Sequence, residues 1–537
     1  MKTRLPAGIL CLILFAFYSS SLLAQQPAFI QGKELTFPEK PVSDIIGSDE
    51  TGFYALRFST IGRGVHTFIE KYDNSTLELL WKKEMDSDKT ILEIGAVGYP
   101  ETVNAFLVKG KVFVFFECVH PKTKIQKLFL QVINADNSLS QVMEIDSKDL
   151  GPVMLMGLGM WKEFNVTFSP DKESFMIGTG VVTDNKPSVE AVAKKTAQPV
   201  NDEPDTKRLK LYSSSTYEKI WEKDISYTEK GKPLSLSAFT VDNANNLYYR
   251  IAYRSSEGEQ WLSGIALGIS EKNSPTSKTI PVNIPDKKVL YSFNFHFLKS
   301  GDMVLCGVIG DTVMTNRVRS YSNEAFFIKR IEAGSRATQF EGITPIKIYQ
   351  PELKPPSFGL GFGEPKVIEM NNELYVITEV LYYEGLYYTG MNIHYKDIVV
   401  SKFSDAGALQ WMRPIRRYIY RSSYNGSNGA KVGNYNVLSS NNKLYFLFLE
   451  DPANKDYDGN DPARKFQPVK LNKPANAVSV SIDPEGTINK SYFYENTDKG
   501  LNYIPAPLTE LQPGKMLIYM NSKKLRTEKF SVLNFNK

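Results

Sequence analysis

The chain has 537 residues and a net charge of +5, from 64 Lys and Arg against 59 Asp and Glu. So small an excess over this length gives no basic footprint of the kind nucleic-acid binding uses, and the length can supply a large core. Aromatic residues make up 12%, with 29 Tyr and 31 Phe, which suits half-buried pleated surfaces better than a helical or disordered chain.

At the N-terminus, Lys2 and Arg4 precede an apolar run from Gly8 to Tyr18, and Leu22-Leu23-Ala24 ends in a small residue before Gln25-Gln26. The run is shorter than the ~20 residues that span a bilayer and has the layout of a cleaved secretory signal. We expect residues 1–24 to be that signal and 25–537 to be an exported protein, periplasmic or at the cell surface, with no integral membrane segment. Cys11 leaves with the signal. Cys118 and Cys306 lie far apart in apolar runs, where buried free thiols are the simpler reading than a disulfide.

After residue 28 a four-part pattern recurs: a short apolar strand, a polar turn, a strongly apolar strand, an alternating strand, and a last strand that often carries Trp. The first unit is Val42–Ile46, Gly52–Ser59, His66–Tyr72 and Leu77–Met85. The second is Asn104–Val108, Lys111–Cys118, Lys127–Ile133 and Leu139–Ile145, and the third Phe164–Ser169, Ser174–Gly180, Leu209–Tyr212 and Glu218–Ile225. Leu236–Val241 to Lys278–Val282 makes a fourth, Phe293–Leu298 to Gln339–Ile343 a fifth, Val367–Met370 to Leu409–Ile415 a sixth and Tyr435–Leu438 to Ile488–Tyr494 a seventh. First-to-second-strand turns repeat their chemistry, as in Asp242-Asn243-Ala244-Asn245-Asn246, Asn371-Asn372 and Ser440-Asn441-Asn442, all residues that favour tight turns.

The C-terminus supplies three quarters of another unit, Leu508–Leu511, Lys515–Tyr519 and Glu528–Phe535; the missing fourth strand is available in Glu34-Leu35-Thr36-Phe37. Sharing one blade between the two chain ends leaves no open edge in the ring. The pattern therefore predicts an all-β fold: one β-propeller of about eight four-stranded blades, closed by pairing of the N- and C-terminal strands. Seven blades is the alternative, because Gly151–Trp161 is ambiguous. Tandem sandwiches or a solenoid fit less well, since four-strand groups without long helices match the propeller description. Two Pro-rich polar insertions, 183–207 and 450–476, lack the apolar content to order themselves and read as mobile loops.

Leu79-Leu80-Trp81-Lys82, Lys219-Ile220-Trp221-Glu222 and Leu409-Gln410-Trp411-Met412 place Trp on the fourth strand, the last after Ser404-Asp405-Ala406-Gly407. This resembles the repeats of secreted propellers of the pyrroloquinoline-quinone-repeat type. The signal ending, with abundant Tyr, Phe, Asn and Lys, looks like exported proteins of the Bacteroidota. The resemblance implies the fold. The residues by which such proteins hold their cofactor are not found here.

Catalytic motifs are sparse. Ser404-Asp405-Ala406-Gly407 fails the spacing of the Asp-box of sialidase-like propellers, because Phe403 stands where the Ser belongs. His66, His120, His296 and His394 are the four histidines, none at metal-ligand spacing from another; His296 reads as structural. Phe358-Gly359-Leu360-Gly361-Phe362-Gly363 opens no helix, as phosphate cradling requires. Asp456, Asp458, Asn460 and Asp461 crowd oxygen ligands into one loop and make calcium the one candidate cofactor, although the Gly and the twelfth-place acid of a calcium loop are misplaced.

The densest candidate surface is in the sixth unit. Tyr382, Tyr383, Tyr387 and Tyr388 precede His394, and Arg413, Arg416, Arg417, Tyr420 and Arg421 follow. Tyr and Arg dominate binding hot spots because they bury large surface while keeping a polar tip. The expected function is a non-catalytic binding or scaffold propeller of the cell envelope, recognising a protein, peptide or glycan. The alternatives are a glycan-acting hydrolase or lyase with its site in the central channel, where Glu117 is an acid of unknown facing, and an accessory subunit of an outer-membrane export or uptake complex.

Overall fold

The computed structural model describes residues 27–36, 40–61, 64–86, 101–120, 125–149, 164–179, 206–226, 228–229, 232–233, 235–253, 264–285, 288–315, 318–321, 324–346, 360–384, 392–422, 435–457, 466–470, 473–495, 502–504, 509–522 and 526–536. They form eight successive antiparallel sheets, each built on four strands, arranged as the blades of a β-propeller. Blade 1 has Asp44–Ser48, Phe53–Ile61, Gly64–Tyr72 and Leu79–Glu84; blade 2 has Glu101–Val108, Lys111–His120, Ile125–Ile133 and Met143–Asp149. Blades 3 to 7 begin at Phe164–Phe168, Ser235–Val241, Val289–Phe297, Lys366–Met370 and Asn436–Ser440. Blade 8 combines Glu510–Gln512, Lys515–Ser522 and Thr527–Asn534 with the N-terminal strand Ala28–Thr36. The count is eight rather than seven, and Gly151–Trp161, which left it open, lies outside the described residues.

First strands of neighbouring blades approach one another, as in blades 1 and 2, 2 and 3, 3 and 4, and 5 and 6, so they surround the axis. Second strands are apolar without alternation because both of their faces are covered. In blade 2, Val112 and Val114 pack toward blade 1, while Phe113 and Phe115 pack toward blade 3. A sheet buried on both faces needs a continuous apolar run. Fourth strands lie outermost and alternate toward solvent, as Leu79–Glu84 does.

Turns also join the blades. Trp221 of blade 3 donates its indole N–H to the Asn245 carbonyl of blade 4 at 3.0 Å, and Trp411 of blade 6 to the Pro484 carbonyl of blade 7 at 2.9 Å. In blades 3 and 6 the fourth-strand Trp is thus an inter-blade tie, in keeping with an indole that seeks a partner when buried. Asn441 reaches on from blade 7 to the Phe535 carbonyl of blade 8 at 2.7 Å. Gly407, in the third-to-fourth-strand turn of blade 6, has φ of +79°, and a Cβ there would collide with the Phe340 ring of blade 5.

The ring closes as the complementary chain ends predict. Ala28, Phe29, Ile30 and Gln31 pair with Asn534, Leu533, Val532 and Ser531; past a bulge, Glu34, Leu35 and Thr36 pair with Lys529, Glu528 and Thr527. A buried ionic network then crosses from blade 8 to blade 1. Arg57 of blade 1 donates from Nε to Glu70 at 2.8 Å, from Nη2 to Glu528 at 2.5 Å, and from Nη1 to the Lys40 carbonyl at 2.7 Å. Tyr72 donates to Glu70 at 2.7 Å, while Tyr519 and the Val42 amide donate to Glu528 at 3.0 and 3.1 Å. Burial opposes the charge on Arg57, but its bonds to Glu70 and Glu528 overcome this and raise its pKa. Burial likewise opposes the Glu70 carboxylate, and the Arg57 bond outweighs it, holding the pKa below its usual value.

Elsewhere, Cys118 and Cys306 are free and buried, and burial pushes the Cys118 thiol up to about 11. His296 places Nε2 3.0 Å from the Pro365 carbonyl, and burial lowers its pKa. Of the insertion 450–476, residues 450–457, 466–470 and 473–476 are described. Asn454, buried after the short turn Pro452–Asn454, exchanges two 2.8 Å hydrogen bonds with the Gln467 backbone. Val469 and Ala475, nearer its far end, are buried among core residues of blades 7 and 8. Most of 183–207 lies outside the described residues.

Replacing Glu528 with Gln strips Arg57 of one buried partner and should cost about 3 kcal/mol in denaturant unfolding. Because Glu70 titrates below its usual pKa when folded, its contribution is complete above about pH 4.5 and disappears as the pH falls through the folded value. Unfolding measured between pH 3 and 7 should show this acid loss in the native chain and a flatter profile in Glu70→Gln. Gly407→Ala combines left-handed strain with the Phe340 collision and should destabilise by about 2 kcal/mol in the same assay.

Candidate functional site

Blade 6 outgrows the common plan. Its second and third strands, Glu373–Glu384 and Asn392–Phe403, have twelve residues each, about twice the usual strand length. The lower parts pair within the blade, with Lys366–Met370 and Leu409–Ile415. Beyond a bulge between Glu379 and Leu381, the upper parts pair instead with Leu360–Phe362 on one side and Ile419–Ser422 on the other. Val469–Lys470, from the blade 7 insertion, adds in parallel to Ile419 and Tyr420. A bulge bends a strand and re-aims its side chains; here it marks where the blade ends and a small upper sheet, the crest, begins.

Side chains of unusual chemistry collect at this junction. Arg417 is 1% exposed, ion-paired with Glu379, and has its guanidinium carbon 5.3 Å from the Tyr435 ring centre. Lys366 holds its ammonium 4.6 Å from the same ring. The Arg417 amide donates to Asp397 at 3.2 Å. Above them, His394 is buried, with Nδ1 2.9 Å from the Tyr418 hydroxyl, its ring stacked on Tyr418 and edge-on to Tyr420. The Lys396 ammonium lies 3.1 Å from the Tyr418 ring centre. Arg413 and Arg416 extend to solvent.

Electrostatics follow from this crowding. Burial pulls the Lys396 ammonium down to about 8, only partly countered by Asp397. Burial raises the Asp397 carboxyl against the pull of the Arg417 amide, Arg416 and Lys396. Desolvation and the neighbouring Arg417 charge both lower Lys366. The side chains so coupled are four cations, Lys366, Lys396, Arg416 and Arg417, against the carboxylates of Glu379 and Asp397. Buried or ring-covered cations in excess of their counter-ions favour an incoming anionic or hydrogen-bond-accepting group. Perturbed titration of this kind concentrates at functional sites, although structural ion pairs also produce it.

The residues singled out in the sequence fall as follows. His394, Arg416, Arg417 and Tyr420 are brought together at the crest, with His394 and Arg417 buried, whereas Arg413 stands opposite Val400 on the fourth strand below it. Tyr382, Tyr383 and Arg421 lie on its strands, described by backbone alone, and Tyr387 and Tyr388 lie outside the described residues. Sequence reasoning missed Lys366, Glu379, Lys396, Asp397 and Tyr435; of these only Lys396 carried a signal, two places from His394. Asp456 is exposed, whereas Asp458, Asn460 and Asp461 lie outside the described residues. Among the described residues no group of three or more His, Cys, Asp or Glu is placed to hold a metal ion, and no helix is long and apolar enough to cross a membrane. Glu117 of blade 2 is fully buried.

No family model and no curated protein matches the chain. Solved structures similar to it include the polysaccharide lyase Uly1, at TM-score 0.41 and 10% identity over 81% of this chain and 90% of that one. The β-propeller domain of the Trilobed protease from Pyrococcus furiosus gives 0.36 and 10% over 86% and 98%. The WD40 domain of SCAP from fission yeast gives 0.35 and 8% over 95% and 98%. At these values none assigns a family or an activity.

The crest predicts one lysine of exceptional acidity. Amine-specific labelling followed across pH by mass spectrometry should give a midpoint near 8 for Lys396, while exposed lysines follow the ordinary value near 10.4.

Proposed function

We propose that the protein is a non-catalytic binding propeller of the cell envelope, exported by the segment 1–24, which holds a protein, peptide or glycan partner on the crest of blade 6. Its Trp-bearing repeats fit a secreted propeller of the pyrroloquinoline-quinone-repeat type as found in Bacteroidota, used for its architecture. The observation that carries the reading is the crest itself: a lengthened blade whose added sheet carries Tyr420 beside exposed Arg416 over a buried ionic base, with exposed Arg413 on the adjoining fourth strand. A rigid sheet presenting Arg and Tyr is the composition of a recognition surface, and the cations there outnumber the carboxylates tied to them.

Arg417 belongs to the base of this surface, since it is ion-paired to Glu379 and enclosed. Partner contact is assigned to Arg416 and Tyr420 at the crest and to Arg413 on the adjoining fourth strand. Screened on glycan and peptide arrays, the intact protein should bind a ligand whose affinity falls at least about tenfold in the triple Ala variant of these residues, about 1.4 kcal/mol or more, with thermal unfolding unchanged. Unchanged affinity would reject the crest. Release of oligosaccharides from a polysaccharide panel would reject the non-catalytic reading.

A further inference from the structure

The closing seam holds a second feature, remote from blade 6. Residues directly opposite in an antiparallel pair share a face of the sheet. Ile30 and Leu35 stand opposite Val532 and Glu528, and Val532 packs with Phe53 and Tyr72 of blade 1. Ile30 and Leu35 therefore face blade 1. In blade 1, Leu79 stands opposite Tyr72 and faces back toward blade 8.

Between these faces lies a cavity of about 260 Å³. Leu35, Phe58 and Leu79 supply apolar walls, and its charged lining is Lys40, Arg57, Lys82, Glu70 and Glu528. Ile30, Leu79 and Leu80 are 49%, 50% and 51% exposed, three of the five large hydrophobic side chains that stand exposed among the described residues. Single exposed leucines need no explanation, but Leu79 is half exposed in the lining of a cavity that also carries charge, and Ile30 faces blade 1 along the same seam.

The charges choose the ligand. Both carboxylates are held by Arg57, and Lys82 approaches Glu70 at 3.4 Å. Three cations against two carboxylates leave the lining with one positive charge in excess. The volume is below that of a drug-sized site, so the occupant is small. We propose that the seam between blades 8 and 1 binds a small amphiphilic carboxylate, its apolar chain against Leu35, Phe58 and Leu79 and its carboxylate beside Lys40 and Lys82. A molecule there bridges the two ends of the chain and stabilises the closed ring.

Octanoate is the probe, with octylammonium and octanol as charge controls, read by calorimetry and by thermal unfolding of the full chain. The native protein should bind octanoate, rise in Tm with its concentration, and bind octylammonium at least tenfold more weakly. Lys40→Glu should weaken octanoate at least tenfold and narrow or reverse that preference. Leu79→Asp should abolish binding of both; because Leu79 is half exposed, its ligand-free Tm should stay near that of the native chain, which separates loss of the site from loss of the fold. Absence of octanoate binding, equal uptake of octanoate and octylammonium by the native protein, or binding unaffected by both substitutions would overturn the assignment.

Discussion

One guanidinium shared by two carboxylates joins the beginning of the ring to its end. Arg57 sits in blade 1, Glu70 beside it, and Glu528 on the far side of the seam, 471 positions along the chain from Arg57. Each charge is taken out of water, which is costly unless geometry and further hydrogen bonds compensate. Here they do: Tyr72, Tyr519, the Val42 amide and the Lys40 carbonyl occupy the remaining sites. A nonpolar seam would slide or repack more easily; a three-point ionic junction fixes how blade 8 meets blade 1. The N-terminal strand itself is only partly covered over its nine residues, so its hold on Thr527–Asn534 depends on the seam beneath it being set.

Several polar contacts among the described residues serve to join one blade to the next. Turn residues reach across to the next blade, Trp221 and Trp411 cap neighbouring carbonyls, and the closing ions bind the first blade to the last. Blade 6 makes such ties too, but its lengthened hairpin also carries an added sheet, whose Ile419 and Val469 pack with core residues of blades 7 and 8. There Arg417 and Glu379 form a buried base, while Arg416 beside them, and Arg413 on the fourth strand, remain in solvent. The division is physical: charges paired within the blade stabilise position, and charges beyond their counter-ions are left for a ligand. The seam cavity follows the same arithmetic on a smaller scale.

Much of this was readable from the chain, and the parts that were not share causes. Second strands such as Lys111–His120 announce themselves because burial on both faces demands unbroken apolar runs. The closure was visible because Glu34–Phe37 and the three C-terminal strands complete one another. The crest strands were hidden: Leu360–Phe362, Ile419–Ser422 and Val469–Lys470 are too short to show a period, and the first was weighed only as a phosphate cradle and set aside because it opens no helix. Arg57 and Glu528 carry no local sign of partnership. In the sixth unit the Tyr and Arg cluster was evident, but composition could not separate Arg416, in solvent, from its buried neighbour Arg417, because that difference arises from Glu379 and Tyr435 in other strands.

The most direct test of the closed ring is a disulfide placed across it. With Ile30 and Val532 directly opposite, the double Cys variant of these positions should oxidise within single molecules, leave Cys118 and Cys306 reduced in their buried sites, and raise the unfolding temperature. Failure to cross-link in the folded monomer, or cross-linking only between molecules, would contradict the account.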